Sequence, residues 1–479
     1  MTDASPHQVR HSPADVRAAL AGLPGGRVVI GLVDRFLPRG ALLLATLTLV
    51  SYAMGLLRDR TLARTFGAGV EYDAFIAAFQ LPELALDVLV ASGLTAPFVP
   101  IFTGLRAETE AEAARFAQTV VTLAVLVMTA TAVLLFATAD ATAGLVLDPA
   151  FPAAGHDVYL GLFRVMCATP VLFAAALALG EILVAERRFF WYALALPTYN
   201  GGIVAGAILL GPTLGIYGAA VGAVAGAVVY LGCRMIGVHR AGVALRPALG
   251  LRMRSVREFV RLMIPKTLSQ PIDPLTFQVF TRVATSLGPG TATAINLARN
   301  FQSVPVSIIG AQFAVAAFPG LSAAAASGDR PRFVRSVLTN ALTIGAVTTV
   351  AAVGLVIVGR LAIRLFLGGG AFDETAIDRT ATVLEAFAIS IPLESLTHLF
   401  ARAIYATRNT LLAVLASLAG FAVTVAAAFG LAPTLGIVAV PVAFTAGMAV
   451  KLALLVVALV PRVRGLRSEA DPAALVGEA

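Results

Sequence analysis

Charged side chains inside apolar, membrane-length segments are the residues of this sequence best placed to do chemistry. In the N-terminal part they are Arg58, Asp59, Asp73, Glu83, Asp87 and Arg164. In the C-terminal part they are Lys266, Asp273, Arg282, Arg299, Glu385, Glu394, His398 and Arg402. An Arg or Asp at a bilayer centre costs roughly 2.5–3.5 kcal/mol on insertion scales, so such a residue faces a cavity or a partner. Arg299 stands in the apolar stretch from Ile295 to Pro319, one or two turns before Pro305. A guanidinium there suits a phosphate-bearing substrate, because its fork donates two parallel hydrogen bonds. Asp59, Asp87, Asp273 and Glu394 are the acidic candidates for the cavity, and for coupling to Na+ or H+.

Plainer roles stand beside these. Arg58, Asp59 and Arg60 could cap the first span at the headgroups, Asp73 could be a helix N-cap, and Arg164 could snorkel outward. Glu394, His398 and Arg402 recur every fourth residue and share one helix face, as an ion-pair stripe would. Cys167 and Cys233 sit in apolar runs and read as small buried side chains. There is no P-loop, GxSxG or HExxH pattern and no metal-ligand spacing, so no catalytic residue, metal or enzyme activity is expected.

The elements that hold these residues must be membrane helices. The chain has 479 residues, 58% hydrophobic and only 13% charged, about half the charged share of a soluble domain. Mean hydropathy is +0.88. Runs free of charge, such as 116–139 and 336–359, have the length of about 20 residues that a helix needs to cross the hydrocarbon. Twelve spans are predicted, near 40–64, 71–104, 114–139, 157–185, 190–210, 213–237, 254–286, 291–326, 331–358, 377–406, 409–430 and 434–460. Residues 1–39 are expected to form a cytosolic tail, in which the first 26 residues are polar and lack a signal-peptide core and Val28 to Leu37 are suited to a short interfacial helix. A basic linker covers 238–253 and a C-terminal tail 461–479.

Arginines alternate from loop to loop. One set of loops holds Arg106 and Arg115, Arg187 and Arg188, Arg240 to Arg257, Arg330 to Arg335, and Arg408, and both tails share this bias. These should face the cytoplasm, with both termini, in a multi-pass inner membrane protein. Arg58, Arg60 and Arg64 break the rule at the outer end of the first span. The chain also repeats itself. Phe66-Gly-Ala-Gly69 matches Leu287-Gly-Pro-Gly290, Pro212-Thr-Leu-Gly-Ile216 matches Pro433-Thr-Leu-Gly-Ile437, and Glu186-Arg187 aligns with Thr407-Arg408, all at an offset of 221 residues. Three matches at one offset predict two six-helix halves, 40–237 and 254–460. Six is even, so the halves insert in parallel around a central cavity, in an all-α fold.

The stretch Gly55-Leu-Leu-Arg-Asp-Arg60, with Leu62-Ala-Arg-Thr-Phe-Gly-Ala-Gly69 and Tyr72-Asp-Ala-Phe75, resembles the first-span signature of the MurJ/MviN family. Ala78-Phe-Gln-Leu-Pro82, Phe98-Val-Pro-Ile101, Pro197 to Asn200, Ala298-Arg-Asn-Phe-Gln-Ser-Val-Pro305 and Phe318-Pro-Gly-Leu-Ser322 resemble it too. The resemblance runs from about 40 to 460. It implies a lipid II flippase of the multidrug/oligosaccharidyl-lipid/polysaccharide exporter superfamily, carrying an undecaprenyl-pyrophosphate-linked sugar-peptide. Arg58 and Asp73 occupy matching family positions, and Arg299 falls one residue before the family arginine, where Asn300 stands. Arg282 and Lys266 complete the expected substrate contacts. The family often has Ser-Arg at Ser51-Tyr52 and an arginine pair at Leu86-Asp87, so the first half loses cations and gains an acid. Many members carry two further helices. No cofactor is expected beyond a coupling Na+ or H+. Expected partners are a lipid-linked oligosaccharide and membrane lipids, without nucleic acid, and the chain is expected to be a monomer.

Two other readings compete. A cation-coupled exporter of drugs or polysaccharide lipids would use Asp73, Asp87 and Asp273 to bind cations or protons. A non-transporting scaffold would use its basic cytosolic segments to hold partners or anionic lipid.

Overall fold

The computed structural model describes residues 39–267 and 272–466. Nearly all of the expected N-terminal tail, the C-terminal tail beyond Leu466, and the side chains of Lys266 and Asp273 lie outside the described residues. In a bilayer every backbone N–H and C=O must be bonded within the segment, so apolar runs become helices. They are α1 (Arg39–Phe66), α2 (Val70–Glu108), α3 (Glu110–Ala137), α4 (Ala153–Ala185), α5 (Phe189–Leu209) and α6 (Ile216–Arg240). The second half continues with α7 in two pieces (Arg254–Thr267 and Ile272–Ser286), α8 (Thr291–Ala326), α9 (Arg330–Phe366), α10 (Glu374–Ala388 and Ser390–Ala406), α11 (Leu411–Leu435) and α12 (Ala439–Arg464). Among the described residues eight helical runs can cross a membrane by length and hydropathy, nine with bent α10 counted as one span; the run Leu411–Arg464 alone contains α11 and α12. Twelve expected spans are consistent with this order of helices.

The duplication is written in the backbone. Gly67 and Gly288 have φ of 69° and 107°, Gly215 and Gly436 have 57° and 55°, and Arg187 and Arg408 have 55° and 57°, each pair 221 residues apart. Both α2 and α8 carry a π-helical turn, at Asp87–Ala91 and Val306–Ala311. Pro82 and Pro305 lie just upstream; a proline removes one N–H and pushes the preceding carbonyl away, which favours such a bulge. Within the first half α5 and α6 pack backbone to backbone. A Cβ on Gly202 would lie 2.5 Å from the Gly222 carbonyl oxygen, so only glycine allows this approach.

One buried apolar cluster joins both halves. It runs from Leu62 and Phe75 through Phe163 to Phe280, Phe387 and Phe444. Towards the arginine-rich loops the halves have separate cores, one around Phe98, Phe116 and Leu183, the other around Phe333, Leu399 and Leu455. The helices therefore splay apart at this basic end and meet at the opposite, closed end. The first piece of α7 crosses the divide: its Phe259 packs edge-on against Phe98 and Phe116 of the first half.

Candidate functional site

The cleft between the halves is a cavity of ≈ 570 Å³ with walls from α1, α2, α7 and α8. Phe75, Phe79, Phe277 and Phe280 supply its apolar surface, and Arg58, Asp59, Glu83, Asp87, Asn296, Arg299 and Asn300 its polar groups. Gln80 donates to the hydroxyl of Thr281 across the halves at this level.

Its closed end is built by Asp73. Fully buried, this carboxylate accepts from the Gly290 N–H at 2.6 Å, and from the N–H and hydroxyl of Thr293, both at 2.7 Å. These are the first-turn amides of α8, where a helix leaves donors unsatisfied and its dipole favours an anion. Gly290, with φ of 79°, presents its N–H without a Cβ, which would strike Ala68. Asp73 is thus an N-terminal anchor of a helix in the other half, whereas the sequence alone suggests a cap on its own helix or a substrate contact. It does not line the cavity.

Arg60 and Arg64 do the converse. Their guanidiniums reach the Leu365 and Leu367 carbonyls at the C-terminus of α9, both at 3.4 Å, and the Ala371 N–H donates to the Arg64 carbonyl at 2.8 Å. Cations at the negative end of a helix dipole account for arginines placed against the loop bias. Arg282, expected at the substrate, points instead to the Leu147 carbonyl at 3.5 Å, beside the Thr285 hydroxyl that accepts from the Asp148 N–H. It too serves the closed end. Arg164 pairs loosely with Asp140 at 3.3 Å and stacks on Phe136.

The two cavity arginines differ in what they can still bind. Arg299 makes a bidentate pair with Glu394, at 2.9 and 2.7 Å, and Gln302 adds a third donor at 2.9 Å. Its guanidinium lies over Phe444 at 4.7 Å and Phe277 at 5.6 Å. Side-chain exposures of 11% and 13% mark this as a closed unit. Glu394 turns into this pair and is not part of an exposed stripe. On the same helix Arg402 donates to the His398 carbonyl at 3.3 Å. Arg58 retains 29% exposure. Two of its nitrogens donate to one oxygen of Asp59, at 2.7 and 3.0 Å, and a third reaches the Asn200 side-chain oxygen at 3.1 Å. The other Asp59 oxygen accepts from Asn300 of the second half at 2.9 Å. Asp59 therefore ties the exposed cation to the opposite half.

Glu83 and Asp87, one turn apart on α2, line the cavity and are in no ion pair among the described residues. The structure brings together Arg58, Asp59, Asp87, Arg299 and Asn300 of the sequence candidates and leaves Asp73, Arg282 and Glu394 outside the lining. No His, Cys, Asp or Glu trio among the described residues is placed to hold a metal. Sequence reasoning passes over Asn200 and Arg234. The latter, 1% exposed, donates to the Ala176 carbonyl and the Tyr230 hydroxyl, both at 2.6 Å, between the rings of Tyr192 and Tyr230. Its only signal is position, an arginine four residues after Tyr230 in an otherwise uncharged run.

A family model described as "Lipid II flippase MurJ" matches residues 62–471. A relative named lipid II flippase MurJ from Burkholderia cenocepacia is 26% identical over 307 residues, covering 61% of this chain and 58% of the relative. The chain's match thus spans less than two thirds of that protein. A probable lipid II flippase MurJ from Thermotoga maritima is 25% identical, covering 76% of this chain and 72% of the relative. Among solved structures, a lipid II flippase MurJ in an inward closed conformation superposes with a TM-score of 0.75 at 19% identity, covering 88% of this chain and 89% of that one. An inward-facing multidrug resistance MATE transporter of the MOP superfamily reaches 0.71 at 14% identity, covering 88% and 96%.

Proposed function

The chain belongs to the lipid II flippase MurJ family, and on that premise we propose that it carries a pyrophosphate-linked lipid precursor of peptidoglycan across the bacterial inner membrane by alternating access. The observation that carries the reading is Arg58, which among the described cavity arginines is the more exposed, at 29% against 11% for Arg299, in a chamber shut at one end by Asp73. By the arginine bias of the loops the basic end is cytoplasmic, and the cavity then admits substrate from the side where it is made. The pyrophosphate takes the Arg58 fork while the polyprenyl tail stays in lipid. A cavity of ≈ 570 Å³ is in the size range of small-molecule sites, about 300–1,000 Å³, and suits a headgroup portion, not the whole lipid.

Binding also reaches the gate. When phosphate oxygens replace Asp59 on Arg58, the Asp59 carboxylate is left facing a bound anion, and that repulsion, at the Asp59 tie to Asn300, favours rocking of the halves. Glu83 and Asp87 would repel the same anion, and a coupling H+ or Na+ would neutralise them; of Asp59, Asp87 and Glu394, whose side chains are described, Asp87 alone is in no ion pair among the described residues. In a flipping or complementation assay Arg58→Ala should lose about tenfold or more of activity, the worth of one or two charge-assisted hydrogen bonds. Arg58→Lys should keep part of it. Undiminished flipping by Arg58→Ala would sink the proposal.

A second reading draws on the acidic wall. Glu83 and Asp87 beside Phe75, Phe79 and Phe277 could hold an organic cation for export. Efflux of such a cation that disappears in the Glu83→Gln/Asp87→Asn variant, with lipid flipping intact, would favour it.

A further inference from the structure

The second half keeps open a place that the first half fills with its own side chains. At the basic end of the first half Trp191 seats its Cβ on Gly237, where any added Cβ would strike it, and Arg240 stacks over the indole at 4.8 Å. Beside it Glu186 supplies an internal anion, paired with Arg106 at 2.8 Å. At the 221-residue offset Trp191 becomes Leu412, Gly237 becomes Ala458 and Glu186 becomes Thr407. The indole and the carboxylate are both gone. What remains is a cavity of ≈ 650 Å³ between the ends of α8, α10 and α12 and the start of α11. Leu412, Ala458, Pro461 and Leu466 form its apolar side. Arg408 and Arg462 stand on its rim, both exposed; among the described residues neither is in an ion pair and no carboxylate lines the cavity.

We propose that this cavity binds the phosphate of an anionic glycerophospholipid from the leaflet at the basic end. Two guanidiniums replace the lost Glu186 with a demand for an external anion, and phosphate matches their fork. The apolar wall lies at the ends of membrane-spanning helices, where a glycerol backbone and the first acyl carbons would continue from the phosphate. A free phosphate would leave that wall wet. The Arg408 backbone, in a left-handed conformation with φ of 57°, fixes the turn that brings it to the rim. The site is separate from the transport cavity and does not depend on the substrate.

The test is native mass spectrometry of the purified full-length chain titrated with phosphatidylglycerol, phosphatidylcholine or inorganic phosphate. Wild type should retain one phosphatidylglycerol in preference to phosphatidylcholine, and inorganic phosphate should not displace it. Arg408→Ala/Arg462→Ala should weaken retention about tenfold or more, as expected for losing two charge-assisted contacts. Leu412→Trp, which refills the place as Trp191 does, should weaken it with both arginines present and guards against misfolding of the double variant. Unchanged phosphatidylglycerol retention in both variants, equal retention of phosphatidylcholine, or displacement by inorganic phosphate would each overturn the proposal.

Discussion

Arg58 and Arg299 carry the same group into one cavity, yet their neighbours give them different work. Arg299 has spent its fork on Glu394 and its faces on Phe277 and Phe444, so a phosphate would have to break a buried pair to reach it. Removing one partner of such a pair strands the other charge and costs about 3–5 kcal/mol, whereas replacing both by apolar residues of like size is close to neutral. Arg299→Ala and Glu394→Ala should each lower the melting temperature and the yield of folded protein. Arg299→Met/Glu394→Leu should recover both and keep most flipping activity. If the double variant melts like wild type but does not flip, Arg299 touches substrate after all. For Arg58 the balance shifts: its loss should cost activity, with a smaller loss of thermal stability than Arg299→Ala, because Arg58 is partly solvated even though buried Asp59 is left with Asn300 alone.

At the scale of elements, the closed end is a set of helix termini cross-capped between halves. Asp73 caps α8, and Arg60 and Arg64 cap α9. Asp73→Ala leaves first-turn amides of α8 unsatisfied, a loss of about 0.5–2 kcal/mol for a removed cap. That is enough to shift a two-state gate several-fold. In a background with Cys167 and Cys233 replaced, an Ala292→Cys probe in the cavity should react several-fold faster with a membrane-impermeant thiol reagent added from the closed side once Asp73 is alanine. Labelling unchanged by the substitution would mean that Asp73 holds no gate. The glycine seam is a second element-scale case. Gly222→Val should overpack α5 against α6 and cost about 1–3 kcal/mol, read as a lower melting temperature. The helices and the duplication were legible from apolar runs and the 221-residue offset, because both are properties of the chain in order. The partners of Asp73, Arg282 and Glu394 were not. Each pairs with a residue over 90 positions away, so type and spacing mark them as costly in lipid without saying which neighbour meets the cost.

For the whole molecule, one shared core at the closed end and two separate cores at the basic end describe a hinge-like body open on one side. Transport by rocking requires that shared core to separate while each half-core stays intact. Gln80 and Thr281 face each other across the halves at cavity level, so they report the separation directly. With Gln80→Cys and Thr281→Cys in the cysteine-free background, a short reducible bis-thiol cross-linker should bridge the pair in this state. Bridged protein should stop flipping, because the halves can no longer part, and reductant should restore it. A cross-link within one half, between Gly202→Cys and a neighbouring α6 position, is a poor control because it disturbs the glycine seam. Better is the single Gln80→Cys variant treated with the same reagent, which should keep its activity. Flipping that continues with the halves bridged would show that substrate passes without their separation, and alternating access about this cavity would have to be abandoned.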